Sequence, residues 1–238
     1  IADRVCIPFE ATIPQLTTRG VDPGTLVITG HPSFDCAADV LNQESAGIEW
    51  RRKHSINNDT PLALYAMQPG INEQSALIEA SLTQALIQNP QLRIAVRKHP
   101  NHRDADVQNV INRLGSAALN ASEHTLGTVL HACDVLVTHH STVGIKAALI
   151  GKQVAFFNLE NDISVYGLPL DEYDWASFST TVETGASALA SIKREAFSQQ
   201  RVRGSQIRQA WNCDGRSHYR IAQTVLQALE SRTTKHVA

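Results

Sequence analysis

The sequence predicts an α/β fold: a parallel sheet with helices on both faces. Three observations carry that expectation. Short, continuous apolar runs recur along the chain. Stretches with apolar residues at helical spacing lie between them. Polar or Gly- and Pro-containing turns end the runs. A strand covered on both faces reads as an unbroken apolar run, and parallel sheets are the ones covered on both faces.

The strands come first. Residues 25–29 (TLVIT) end at Gly30, and 61–67 (PLALYAM) end at Gln68-Pro69-Gly70. Residues 92–96 (LRIAV) end at Arg97-Lys98-His99-Pro100. Residues 134–138 (DVLVT) run into His139-His140-Ser141, and 153–157 (QVAFF) into Asn158. Helices fill the gaps. Residues 73–88 carry Ala76, Leu77, Ala80, Leu82, Ala85 and Leu86, and Asn89-Pro90 stops them. Residues 105–114 place Val107, Val110, Ile111 and Leu114 on one stripe before Gly115. Residues 125–132 are a short helix. Residues 142–150 are small and apolar all round and end at Gly151. A closing helix spans 217–229, with Ile221, Ala222, Val225, Leu226 and Leu229 in register. The polar segment 44–60 reads as a helix followed by a loop.

The chain has 238 residues, 42% hydrophobic and 18% charged, a globular composition that excludes collagen, disorder and a disulfide scaffold. At about 150 residues per domain, the length falls between one domain and two. The irregular stretch 1–60 reads as a linker segment with a helix, and 61–238 as the α/β domain with its closing helices. Lys plus Arg total 21 against 23 Asp plus Glu, a net charge of −2, so no nucleic-acid partner is expected. The cysteines Cys6, Cys36, Cys133 and Cys213 form no CxxC pair and read as reduced thiols of a cytoplasmic protein. No apolar run reaches the roughly 18 residues of a transmembrane helix, and no signal peptide is expected at the start.

In an open α/β sheet, ligands bind outside the carboxyl ends of the strands. That rule selects Gln68 and Gly70, Lys98 and His99, and residues 139–142. The segment from Asp134 to Gly144 turns a buried strand abruptly into a helix of small residues. Ser141 or Thr142 can cap that helix, and its first free N–H groups and dipole make an anion site at Ser141, Thr142 and Val143. The alternative is a capped helix that binds nothing. Arg97-Lys98-His99-Pro100-Asn101-His102-Arg103 crowds cations and imidazoles at one strand end. It could neutralise a phosphate or present His99 as an acid, base or donor. It could equally be a solvated basic loop.

Two other chemistries fit less well. His131, Cys133, His139 and His140 invite a metal, but strand alternation points neighbours apart and no closed zinc spacing occurs. A strand-Ser-helix turn suggests a hydrolase nucleophile elbow, yet His139 and Val143 stand where that turn needs glycine.

The order ITGHP, LYAMQPG, VRKHPN, DVLVTHHSTVGIKAALIGKQVAFFN and DGRSHYRIAQTVLQAL resembles the C-terminal half of GT-B fold enzymes. It is most similar to bacterial nucleotide-sugar glycosyltransferases of surface-polysaccharide synthesis and to the related UDP-N-acetylglucosamine 2-epimerases. The likeness covers most of residues 25–230 and is strongest at 93–158. It implies a Rossmann-like parallel sheet that binds the nucleotide-sugar, with the facing N-terminal domain absent from this chain. Ser141 and Thr142 with the following backbone would hold the diphosphate, beside His140 and Val143. Gln68 and Gly70 would lie near the donor, with Lys98 and His99 on the base or phosphate side. Gly30 and His31 would lie where the two halves join. The substrate is the nucleotide-sugar itself; no cofactor and no metal are implied. The full-length protein would allow peripheral membrane association.

The chain departs from the resemblance at two places. Where many such enzymes carry a ribose-binding glutamate, this chain has Lys146, which cannot accept hydrogen bonds from a diol but could meet a phosphate or an acidic sugar. The epimerases carry a His-Arg-Arg-Glu type loop where this chain reads Met67-Gln68-Pro69-Gly70. The leading expectation is therefore the donor-binding domain of a glycosyltransferase, inactive without its other half. The alternatives are a 2-epimerase-like enzyme with His99 as its acid/base group, and a non-catalytic nucleotide-binding module.

Overall fold

A computed structural model of the chain describes residues 2–35, 42–69, 72–139, 141–157, 164–165, 168–169 and 173–235. The chain begins with β1 (Val5–Ile7), α1 (Thr12–Thr18), β2 (Leu26–Ile28), α2 (Pro32–Asp35) and α3 (Glu44–Lys53). The alternating part follows: β3 (Leu62–Ala66), α4 (Asn72–Gln88), β4 (Arg93–Arg97), α5 (Asp104–Leu114), β5 (Ala118–Asn120), α6 (Leu126–Ala132), β6 (Val135–Thr138), α7 (Thr142–Leu149) and β7 (Gln153–Phe157). A small antiparallel pair, β8 (Ser164–Val165) and β9 (Leu168–Pro169), precedes β10 (Ala176–Ser179). Three helices close the chain: α8 (Val182–Ala190), α9 (Phe197–Ala210) and α10 (Ser217–Lys235).

Six strands form one all-parallel sheet in the order β10-β7-β6-β3-β4-β5. Strand alternation builds two cores from it. Leu62, Leu64, Leu136, Val154 and Phe156 point to the face covered by α3, α6 and α7, where Trp50, Leu130 and Ile145 pack. Ala63, Tyr65, Val135, Val137, Ala155 and Phe157 point to the face covered by α4, α5 and α8, where Leu82, Val110 and Leu189 pack. Two of the close approaches made by glycines lie at the ends of α7. Gly144 lies over the Phe156 ring, where a Cβ would sit 2.7 Å from ring carbons. Gly151 has φ +79° and faces the Gln200 carbonyl, 1.8 Å from where a Cβ would stand.

Two polar knots tie the layers. At the amino ends of β3 and β6, Arg51 and Asp134 form a buried pair at 3.4 Å. Asp134 also accepts from the Leu62 N–H at 2.9 Å, and Arg51 donates to the Ala132 and Asn57 carbonyls at 2.8 Å each. Beside them the buried Lys152 donates to the carbonyls of His131 and Cys133, closing the end of α6. Burial pushes the Lys152 pKa down and the Cys133 thiol up to about 12. The second knot joins the end of β2 to the start of α10. Arg220 donates to the Thr29 carbonyl at 2.8 Å and holds Asp214 through both guanidinium nitrogens at 2.9 Å. Asp35 accepts from the N–H groups of Gly215 and Ser217.

The structure amends the sequence reading in places. The strand expected at 25–29 is present as β2, but it pairs in parallel with β1 alone and stands outside the six-stranded sheet. β1, the edge strands β5 and β10, and the helices α1, α8 and α9 carry no pattern that marks them in the sequence. The closing helix runs on to Lys235.

Replacing Arg51 with Met should lower stability by about 3–5 kcal/mol in urea unfolding, because Asp134 is left as a buried charge without its guanidinium. Gly151→Ala should cost about 3 kcal/mol or more in the same assay, from a backbone clash added to a left-handed φ. The Arg220 guanidinium holds the Asp214 carboxyl at about 2, below its ordinary 3.8. A depressed carboxyl pKa stabilises the fold above the ordinary value, and that support is lost as pH falls toward 2. Carboxyl NMR should find the Asp214 midpoint near 2 and should find it back in the ordinary range in Arg220→Ala.

Candidate functional site

Counted in chain order, the six strands stand as 3-2-1-4-5-6, the doubly wound order. The chain winds outward from β3 through β4 to β5, then returns across the sheet to β6 and winds the other way. Connections from β3 and β6 therefore leave on opposite sides, the arrangement that in doubly wound sheets leaves a crevice between the carboxyl ends. The loop after β3 contributes Gln68, and the turn after β6 contributes His139 and Ser141. Gly70 and His140, both expected at the site, lie outside the described residues.

The turn into α7 is built as the sequence suggests. Ser141 is extended, with φ −132° and ψ 139°, and its Oγ accepts from the Val143 N–H at 3.3 Å. Gly144, Ile145, Ala147 and Ala148 are buried, while Thr142 is exposed and Val143 and Lys146 are half-buried. Thr142 and Lys146, four residues apart, share the outer face of α7. The Cα–Cβ bond of Lys146 tilts toward the amino end of the helix, as in any α-helix. Among the described residues the Lys146 side chain forms no hydrogen bond or ion pair. His139 lies beneath, 9% exposed.

The basic rim after β4 differs from its sequence reading. Arg97 spends its guanidinium on the carbonyls of Ala121 and His124, and burial lowers its pKa. Lys98 is ion-paired with Asp104 at the start of α5, and its N–H donates to Ser122 Oγ at 3.1 Å. Arg103 meets Asp106 at 3.3 Å. Three cations crowd the strand end, but each has a partner. His99 accepts from the Asn101 N–H at Nδ1, 3.2 Å away, with His102 edge-on at 6.4 Å. An accepting Nδ1 leaves the proton of the neutral ring on Nε2. In that arrangement His99 can donate from Nε2.

Adjacent strands lie about 4.8 Å apart, so the loops after β6 and β4, two strands apart, stand about 10 Å from each other across the loop after β3. Gln68 and the Ser141 turn flank the crevice, with Lys98 and His99 one strand further along. His31 stands elsewhere, past β2, with Nδ1 2.7 Å from Ser33 Oγ. The sequence signal missed was the pairing of Lys98, whose partner lies six residues on in the next helix. Among the described residues no group of three or more His, Cys, Asp or Glu is placed to hold a metal ion.

No protein-family model matches the chain, and no curated protein matches its sequence. Solved structures match its fold. The wall teichoic acid polymerase TagF superposes with a TM-score of 0.55 at 15% identity, over 97% of this chain and 59% of its own. The UDP-GlcNAc 2-epimerase of Neisseria meningitidis, bound to UDP-GlcNAc, gives 0.64 at 12% identity, over 95% and 62%. S. aureus MnaA with UDP gives 0.67 at 17% identity, over 96% and 60%. The chain has the fold of a GT-B C-terminal half. It spans about 60% of the length of these structures. Among the described residues no helix is long and apolar enough to cross a membrane.

Replacing Ser141 with Ala removes the α7 cap and should cost about 1 kcal/mol in urea unfolding, with α7 amides exchanging faster.

Proposed function

We propose that this chain is the donor-binding domain of a glycosyltransferase, holding a nucleotide-sugar in the crevice between β3 and β6. The observation that carries the reading is the capped amino end of α7 at the switch point, with Lys146, which forms no hydrogen bond or ion pair among the described residues, on the outer face of the same helix. Helix N–H groups and a lysine together suit a diphosphate. The donor's diphosphate would lie against Ser141, Thr142 and Val143, with Gln68 beside the sugar. Lys146 takes the place of a diol acceptor, so the phosphates and not the ribose would anchor the nucleotide.

Transfer would proceed by support of the leaving nucleoside diphosphate. As the glycosidic bond breaks, negative charge grows on the departing oxygens, and preorganised donors near it lower the barrier. The α7 N–H groups and Lys146 supply that support, and Lys98 adds to it if its pair with Asp104 opens. His99 is the catalytic group proposed on this chain, acting as a donor from Nε2 to the leaving group. A base for the acceptor hydroxyl and the acceptor site itself would come from a second domain, so the chain alone would bind and not turn over. No metal is called for.

A 2-epimerase reading is favoured by the TM-scores of two 2-epimerase structures, 0.60 and 0.64, which exceed that of TagF. It requires proton removal at C2, for which His99 would be the acid/base group on this chain. Solvent deuterium appearing at C2 of a UDP-N-acetylhexosamine would establish it.

Calorimetric titration of the chain with UDP-, GDP-, CDP- and CMP-sugars should show saturable binding of at least one. Ser141→Ala should weaken it about fivefold and Lys146→Glu more than tenfold. No binding to any of them overturns the reading. Binding that arises only in Lys146→Glu would instead mark a module that had lost its nucleotide.

A further inference from the structure

A cavity that shares no residue with the β3–β6 crevice is walled by aromatic rings. Its volume is about 220 Å³, and it lies between the turn after β1, the end of β2 and the end of α9. Phe9, Tyr173 and Trp211 line it, together with Ile28, Glu10 and Asn212. The rings stand at angles to one another. Phe9 meets Trp211 at 5.3 Å between centroids and 54° between planes, and Tyr173 meets it at 5.9 Å and 74°. Two further rings back these walls. Phe34 stacks on Phe9 at 5.7 Å, and Trp175 stacks on Tyr173 at 5.2 Å. Phe34 and Trp175 are both buried, so the walls are held in place before anything binds. Rings fixed in this way lose little side-chain freedom on binding.

The charge at this cavity has one sign. Glu10 is exposed, and among the described residues no ion pair engages its carboxylate. No Lys, Arg or His is among the described residues that line the cavity. Arg220 reaches the Asn212 carbonyl at 3.1 Å, but Asp214 matches its charge through both guanidinium nitrogens. Aromatic faces are negative at their centres and attract cations, and a set of inclined rings suits an ammonium whose substituents are apolar. An anion would be repelled by Glu10, and a neutral apolar guest would leave the carboxylate unused. The volume falls below the roughly 300–1,000 Å³ of drug-sized sites, so the guest is small.

We propose that this cavity binds a quaternary ammonium head group, with its methyl groups against Phe9, Tyr173 and Trp211 and its charge facing Glu10. The rings supply the attraction to the cation body, and the carboxylate selects its sign. The inference is independent of the nucleotide-sugar reading, since none of these residues belongs to the crevice.

The test is an NMR titration of the chain, following the Trp211 indole N–H. The probes are choline, N-trimethyl-lysine and dimethylbutanol, the uncharged carbon isostere of choline. Choline should shift the Trp211 signal saturably and bind about tenfold more tightly than dimethylbutanol. Glu10→Gln, at an exposed position, should weaken choline about fivefold, leave dimethylbutanol unchanged and remove most of the salt dependence. Tyr173→Leu should weaken choline about tenfold, and Tyr173→Phe, which keeps the ring, should restore it. Tighter binding of choline or of N-trimethyl-lysine tells a free head group from a modified side chain, and either supports the site. Three results overturn the proposal: dimethylbutanol binding as tightly as choline, choline affinity unchanged in Glu10→Gln, or no saturable shift with either cation.

Discussion

Arg51 is the point where the layers of this fold meet. Its guanidinium reaches the end of α6 through Ala132, the loop before β3 through Asn57, and the start of β6 through Asp134. Asp134 in turn holds the first N–H of β3. β3 and β6 are neighbours that the chain visits far apart, and their relative register decides where their other ends come out. A pair buried this deeply contributes less to net stability than its Coulomb energy suggests, because both charges lost their water. What it provides is registry, since any slip leaves a carboxylate or a guanidinium in the core unmatched.

From that foot the sheet divides its labour along the strands. The amino ends carry buried charge: Arg51, Asp134 and Lys152, each matched within the fold. The carboxyl ends carry the capped helix, Gln68 and Lys146. A matched charge has little left to offer a ligand. By that standard the Arg97–Arg103 loop, the most basic stretch in the sequence, is weaker than it looks, because its cations are already engaged by carbonyls, Asp104 and Asp106. Lys146, a single residue in an apolar helix, has more to give.

How much could be read in advance depended on burial. β3, β4, β6 and β7 are covered on both sides and were legible as unbroken apolar runs. β5 and β10 stand at the sheet edges, and ALN and ASFS carry no such run. α9 was missed because its face against the α7–β7 turn is made by Gly204, Ile207 and Gln200, while arginine and glutamine fill the rest. The crevice was legible because it follows from strand order and from a serine before a helix. The charge state of its rim was not, because pairing partners such as Asp104 sit on the next element and are set by how the loop returns.

Gly144 links packing to chemistry. With no side chain between helix and sheet, α7 rests on the Phe156 ring, and the buried Ile145, Ala147 and Ala148 keep it there. That contact fixes the direction of the helix axis, and with it the point in the crevice at which the first N–H groups aim. A larger residue would lift the first turn and tilt those groups away from the β3 loop. The small residues of this helix are therefore what place an anion, if one binds, between Ser141 and Gln68. The lysine is set one turn further along, on the face that packing leaves open.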